Sequence, residues 1–141
     1  MTIREKQNEI IESFSLFEEW TDKYEYLIDL GKNLPQIPPE KMTEEHLVKG
    51  CQSRVWLDAE LDGNLLKFTA DSDAIVTKGI IALLIKVLSG HTPKEILESD
   101  LYFVAKIGLQ EHLSPTRANG LVSMIKQMKV YAMAFNDIVK N

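Results

Sequence analysis

The chain has 141 residues, with 16 Lys+Arg against 21 Asp+Glu and a formal net charge of -5. That length fits one domain around one core, with roughly two thirds of the unfolded surface buried. The acidic balance excludes a nucleic-acid-binding domain, since neutralising phosphates requires a basic face that the sequence does not show.

Met1-Thr2-Ile3-Arg4-Glu5-Lys6-Gln7 is polar and lacks an apolar stretch ending in small residues, so no secretory signal is expected and the cytoplasm is the default location. Thr2-Ile3-Arg4-Glu5 has the spacing of a capping box, and Ile3, Gln7, Ile10, Ile11, Phe14 and Phe17 trace a mostly apolar helical stripe behind it. A second helix is predicted from about Glu18 to Leu30, with Trp20, Tyr24, Leu27 and Ile28 on one side and Gly31 placed to end it. The run Leu34-Pro35-Gln36-Ile37-Pro38-Pro39-Glu40 cannot continue a helix and is predicted to cross the surface as a linker. It is too short to separate domains, and neither internal repeats nor low-complexity tracts occur.

The next stretch, Val48-Lys49-Gly50-Cys51-Gln52-Ser53-Arg54, holds the only cysteine of the chain. Gly50 permits a sharp bend that presents the thiol at a loop tip. Lys49 and Arg54 would favour the nucleophilic thiolate over a thiol whose ordinary pKa is about 8.5. The alternative is that Cys51 is a small buried apolar residue, as most free cysteines are. One cysteine excludes an intramolecular disulfide framework and fits a reducing compartment.

From Val55 the period changes to two. Val55, Leu57, Ala59 and Leu61 alternate with Arg54, Trp56, Asp58 and Glu60, and Leu66, Phe68 and Ala70 with Lys67 and Thr69. Asp62-Gly63-Asn64 supplies the positive-φ residues of a tight hairpin, which a third strand or covering helices must support. Asp71-Ser72-Asp73 offers capping oxygens to a helix over Ala74 to Leu88 that is apolar except at Thr77, Lys78 and Lys86 and should be the most buried. It is too short and too charged to span a membrane.

Thr92-Pro93-Lys94-Glu95 is a second capping box opening a short helix. Asp100 to Ile107 reads as a turn or two of helix ending at Gly108, although Tyr102-Phe103-Val104 also suits a strand. Ser114-Pro115 opens a final long helix whose Leu121, Val122, Ile125, Met128, Ala132, Phe135 and Ile138 should face inward. Its start gathers a polar cap, Arg117 and Gly120 where exposed amides and the helix dipole attract anions, a persulfide or thiolate among them. An ordinary capped helix with a solvated arginine accounts for the same residues.

Several of these stretches in combination resemble the SufE family of sulfur acceptors. They are Gly50-Cys51-Gln52-Ser53 before Val55-Trp56-Leu57, then Ala70-Asp71-Ser72-Asp73-Ala74 with Lys78-Gly79, then His112-Leu113-Ser114-Pro115-Thr116-Arg117 with Gly120-Leu121. Trp20 to Gly31 and Leu34-Pro35 extend the resemblance over nearly the whole chain, residues 1–141. It implies a single α+β domain with a small antiparallel sheet packed against several helices, similar to the IscU-like iron-sulfur scaffold fold. It further implies that Cys51 takes sulfur as a persulfide from a SufS-type cysteine desulfurase and passes it to a SufBCD-type scaffold complex. The only cofactor would be the pyridoxal phosphate of that partner. A CsdA-type desulfurase is an alternative partner, because CsdE proteins share the motif. Gly50, Gln52, Asp73 and Arg117 fall at positions expected to support or dock rather than make bonds, and a homodimer is possible.

Two other classes compete. A metal or cluster scaffold needs three or four ligands, whereas His46, His91 and His112 show no ligand-pair spacing and one cysteine is present. A thiol-dependent hydrolase would need His112 or His46 as a base for Cys51, and no oxyanion motif is recognisable. Under the sulfur-carrier reading the thiol is expected to be sheltered at rest, with Val48, Val55 and Leu57 as its apolar walls.

Overall fold

The computed structural model describes residues 1–140, and Asn141 lies outside them. In chain order the elements are α1 (Ile3–Ser15), α2 (Trp20–Lys32), 3-10 turns at Pro39–Lys41 and Glu44–His46, and the hairpin β1 (Val55–Asp62) and β2 (Leu65–Ser72). They continue with α3 (Ile75–Leu88), α4 (Pro93–Glu98), α5 (Phe103–Lys106), a 3-10 turn at Gln110–His112, and α6 (Pro115–Lys140). Mixed helix with one two-stranded antiparallel sheet is the α+β class expected from the sequence.

Both capping boxes form as spaced. Thr2 and Glu5 exchange side-chain and backbone hydrogen bonds at 3.0 Å, and Thr92 with Glu95 repeats the arrangement at 3.0 and 3.1 Å. Gln7, the one polar member of the α1 stripe, is buried because it has two partners: its Nε2 donates to Asp100 O at 3.0 Å, and its Oε1 accepts from Phe103 N at 3.2 Å. That bond meets the first amide of α5 and helps to make Phe103–Lys106 helical rather than extended.

The hairpin pairs Val55 with Ser72 through Asp62 with Leu65. Only Gly63, at φ 63°, has positive φ in the turn, the pattern of a two-residue loop with glycine first, so Asn64 does not share that role. Among the described residues no third strand supports it. Along β2, Ala70 N donates to Pro35 O at 3.0 Å and Ala70 O accepts from Ile37 N at 3.2 Å, while Leu66 exchanges bonds of 2.8 Å with His91 and Gly90. Residues 34–40 are therefore more than a surface linker: they lie along the sheet edge and bury Leu34 and Ile37. Pro35 and Pro38 suit such an edge, where donors on the far side have no partner to meet.

α3 is the most buried helix, with Ile80, Ile81, Leu83, Leu84, Val87 and Leu88 each at most 1% exposed. Gly31 does not end α2, which continues to Lys32. It sits instead at the crossing with α3, where a Cβ would lie 3.1 Å from Gly79 N, and a Cβ on Gly79 would lie 2.3 Å from Leu27 O. Gly79→Ala is accordingly expected to force the two helices apart, at a cost of about 1–3 kcal/mol or more. A urea midpoint equal to that of the parent chain would show the crossing to be looser than this.

The inward line of α6 is Leu121, Met124, Met128 and Ala132. Val122 and Ile138, expected to face in, are 53% and 60% exposed, and Ile125 and Phe135 are half-buried. One residue of helix rotates a side chain by about 100°, so Val122 leaves the face that Leu121 occupies. Lys129 fixes α6 against α4, its Nζ donating to Ile96 O at 2.7 Å and Ser99 O at 2.6 Å at the C-terminal end of that helix.

His91 is buried with Nε2 unpartnered, and its Nδ1 stands 3.9 Å from Glu95 Oε2. Burial first, then Lys6 and the N-terminal charge, hold its pKa below the usual value against the pull of Glu95. The folded chain thus binds this proton less readily than the unfolded chain does. Stability is full above the ordinary histidine value of about 6.5 and is lost as pH falls from there through the folded-state value. The expected result is a falling urea midpoint between about pH 7 and about pH 5, and a smaller fall in His91→Gln. Equal slopes in the two proteins would remove His91 from the account.

Candidate functional site

The segment carrying Cys51 is fastened at both ends. Val48 N donates to Val55 O at 2.8 Å, and Arg54 is held three times: its N donates to Asp73 Oδ1 at 3.0 Å, and its O accepts from Ser72 Oγ at 2.8 Å and from Asp73 N at 3.3 Å. Asp71, Ser72 and Asp73 therefore do not cap α3 in the expected way. Ala74 is the N-cap and offers no side-chain bond, while Asp71 pairs with Lys78 at 3.2 Å. The partial exception is Ser72 Oγ, which accepts from Ala74 N at 3.3 Å. These polar groups are used at the base of the hairpin, where they fix the downstream end of the loop.

Between the two fastenings Gly50 adopts φ 96°, and a Cβ there would come 2.3 Å from Ser123 Oγ on α6. Both the backbone angle and the close approach call for glycine. The bend turns Cys51 toward α6. Its half-buried thiol lies 3.6 Å from Gly120 O as a weak donor, and a Cβ on Gly120 would stand 3.4 Å from the sulfur.

The thiol opens into a cavity of ≈ 240 Å³. Thr77, Ile80, Gly120 and Met124 are its buried walls, and Gln52, Ser114, Thr116 and Arg117 its exposed ones. Val48, Val55 and Leu57 are core residues that do not line it, so the shelter comes from α3 and α6 rather than from the hairpin. Burial pushes the Cys51 thiol up from its ordinary pKa. The expected stabilisation of the thiolate by Lys49 and Arg54 does not prevail in the free protein, because both side chains are exposed to water while the sulfur is half-buried.

Arg117 lines the cavity, is exposed and has no ion pair among the described residues; its backbone N donates to Ser114 Oγ at 3.3 Å. Asp73 lies at the foot of the loop and does not line the cavity. Gly120 was visible in the sequence as a helix glycine, and a glycine inside a helix costs about 1 kcal/mol relative to alanine, a cue to close packing. Thr77, Ile80, Ser123 and Met124 carried no comparable signal.

No imidazole lines the cavity. His112 stacks on Trp20 at 4.0 Å between centroids, its Nδ1 is 2.8 Å from Gly108 O, and its carbonyl accepts from Tyr24 Oη. His46 lies between Thr43 Oγ1 at 3.1 Å and Asp58 Oδ1 at 3.4 Å. A cysteine–histidine nucleophile pair is therefore not assembled. Among the described residues no group of three or more His, Cys, Asp or Glu could hold a metal, and no helix is long and apolar enough to cross a membrane.

Fold and site together define a small α+β protein that presents one sheltered thiol on a loop closed by two helices. The chain belongs to the SufE family: the family model described as "SufE: Fe-S metabolism associated domain" matches residues 8–132. An uncharacterized SufE-like protein of Rhizobium meliloti is 45% identical over 127 residues, covering 86% of this chain and 91% of the relative. SufE-like protein 1, chloroplastic/mitochondrial, of Arabidopsis thaliana is 43% identical over 129 residues, covering 91% of this chain and 35% of that longer protein. The solution structure of a hypothetical protein from Thermus thermophilus shares the fold, with a TM-score of 0.76 at 23% identity, covering 92% of this chain and 94% of that one.

Proposed function

We propose that the whole chain acts as a cytoplasmic sulfur carrier. Cys51 accepts sulfur from a SufS-type cysteine desulfurase and delivers it to a SufBCD-type scaffold complex for iron-sulfur cluster assembly. A CsdA-type desulfurase would use the same chemistry. The observation that carries this reading is the placement of the only cysteine: a thiol half-sheltered beside a polar-mouthed cavity, on a short loop with no base and no metal ligands around it among the described residues. That suits a group that must be handed to another protein's active site and hidden afterwards.

The transfer balances without an external oxidant. The Cys51 thiolate attacks the outer sulfur of the persulfide on the desulfurase, a new S–S bond forms to Cys51, and the old one breaks to leave the desulfurase cysteine as thiolate. The proton lost from Cys51 passes to that leaving thiolate or to solvent. The product is the Cys51 persulfide, whose anion would sit near Arg117 and the hydroxyls of Ser114 and Thr116, groups that favour negative charge. Pyridoxal phosphate belongs to the partner, where it supplies the chemistry that removes sulfur from free cysteine. Asp73 supports the reaction by holding the loop, and Gly50 by allowing its bend.

The test is intact-mass measurement after incubation with a SufS-type desulfurase loaded with pyridoxal phosphate, and free cysteine, followed by removal of small thiols. One added sulfur, removed by reductant and mapped to Cys51, is the expected result. An unchanged mass with an active desulfurase would overturn the reading.

A further inference from the structure

Lys49 and Arg54 flank the Cys51 loop, yet neither lines the thiol cavity and neither gives the half-buried sulfur a thiolate. Both side chains are exposed, and like Arg117 they have no ion pair among the described residues. Ion pairs hold Lys32 to Asp29, Lys41 to Asp58 and Glu60, Lys78 to Asp71 and Lys94 to Glu98, while Arg4, Lys67, Lys86, Lys106 and Lys126 are exposed without one, so what distinguishes Lys49 and Arg54 is their place on either side of the thiol. The chain as a whole carries -5, so unmatched cations on both sides of its only nucleophile run against its overall charge. Asp73 also stands at this edge, its Oδ1 accepting the backbone N–H of Arg54. The pairing of Val48 with Val55 sets the chain at Lys49 and Arg54 side by side, so the two cations share one edge of the loop.

We infer that Lys49 and Arg54 form a basic docking rim that recognises a carboxylate-rich face around the active-site mouth of the desulfurase. This deepens the sulfur-carrier reading and rests on it. The main chain of the loop is fastened at Val48 and Arg54, so these two side chains can reach outward while Cys51 points inward. Opposite charge on the partner would steer encounter over about a Debye length, roughly 8–10 Å, and fix which way the loop enters. Carboxylates close to the docked loop would also replace water around the cations that face them.

The experiment measures sulfur loading of Cys51 as a function of carrier concentration, using a SufS-type desulfurase and free cysteine at several salt concentrations. The double reversal Lys49→Glu/Arg54→Glu is expected to raise the half-saturating concentration about tenfold or more while the plateau rate is kept, and Lys49→Gln/Arg54→Gln to give an intermediate rise. Added salt should raise the half-saturating concentration of the parent chain and affect the Gln variant less. Half-saturation unchanged in both variants, or a salt response equal to the parent's, overturns the inference while leaving sulfur transfer intact. A parent chain that takes no sulfur overturns both, and that arm is read first. The Gln pair preserves approximate side-chain length and adds no charge, so it keeps the test decisive should the Glu pair fold poorly.

Discussion

Cys51→Ser is expected to abolish sulfur uptake completely while leaving the fold in place. The substitution removes the only thiol of the chain and exchanges it for a hydroxyl of nearly the same shape. Serine can still donate to Gly120 O, as the thiol does, and a half-buried site tolerates the exchange within about 1 kcal/mol. Its hydroxyl ionises far above neutral pH and forms no persulfide, so the loss is absolute rather than graded. The variant should also compete with the parent chain for the desulfurase, because the rim and the loop are retained. Intact mass reads the first expectation, a urea midpoint the second and inhibition of parent loading the third. Sulfur appearing on the Ser variant would place the acceptor somewhere other than Cys51.

What could be read from the sequence followed the range of each interaction. Capping boxes at Thr2 and Thr92, the alternation through the hairpin, and the apolar saturation of α3 are local patterns, and each produced the element it implied. Readings that depended on what lies across the fold went astray. Gly31 has the look of a helix terminator because chain order cannot show Gly79 pressed against it. Asp71 to Asp73 have the look of a cap because chain order cannot show that Arg54 needs fixing by Ser72 and Asp73. In the site, Gly50, Cys51 and Gln52 were legible as a loop, and Arg117 as part of the opening of a helix. That α6 would bring Gly120 and Met124 onto the sulfur is a tertiary fact with no nearby sequence sign. Assigning the shelter to Val48, Val55 and Leu57 was therefore an error of side: those residues point into the core beneath the hairpin, while the thiol turns toward the helices.

Alkylation of Cys51 is expected to be slow in the free protein and to quicken when the desulfurase is present. Two causes act in the same direction. Reagents reach a half-buried sulfur poorly, and burial raises its pKa, so at a given pH less thiolate is available than in the unfolded chain. The pH profile of the free protein should accordingly inflect above the ordinary cysteine value of about 8.5, and docking that draws the loop out should bring it back down. Met124→Ala tests whether the helix wall is responsible. Met124 is 1% exposed and lines the cavity, so its truncation should speed alkylation of the free protein at a stability cost of about 2–5 kcal/mol. Leu57→Ala loses a core side chain that does not line the cavity, so it should cost comparable stability without speeding alkylation while the protein stays folded. The pair separates opening of the shelter from general loosening. Timed alkylation with mass detection, taking the urea-unfolded chain as full exposure, reads all of these. If Cys51 in the folded parent already reacts as fast as in urea, the helices do not shelter it; if both variants speed reaction equally, the protection belongs to the fold as a whole rather than to the wall formed by α3 and α6.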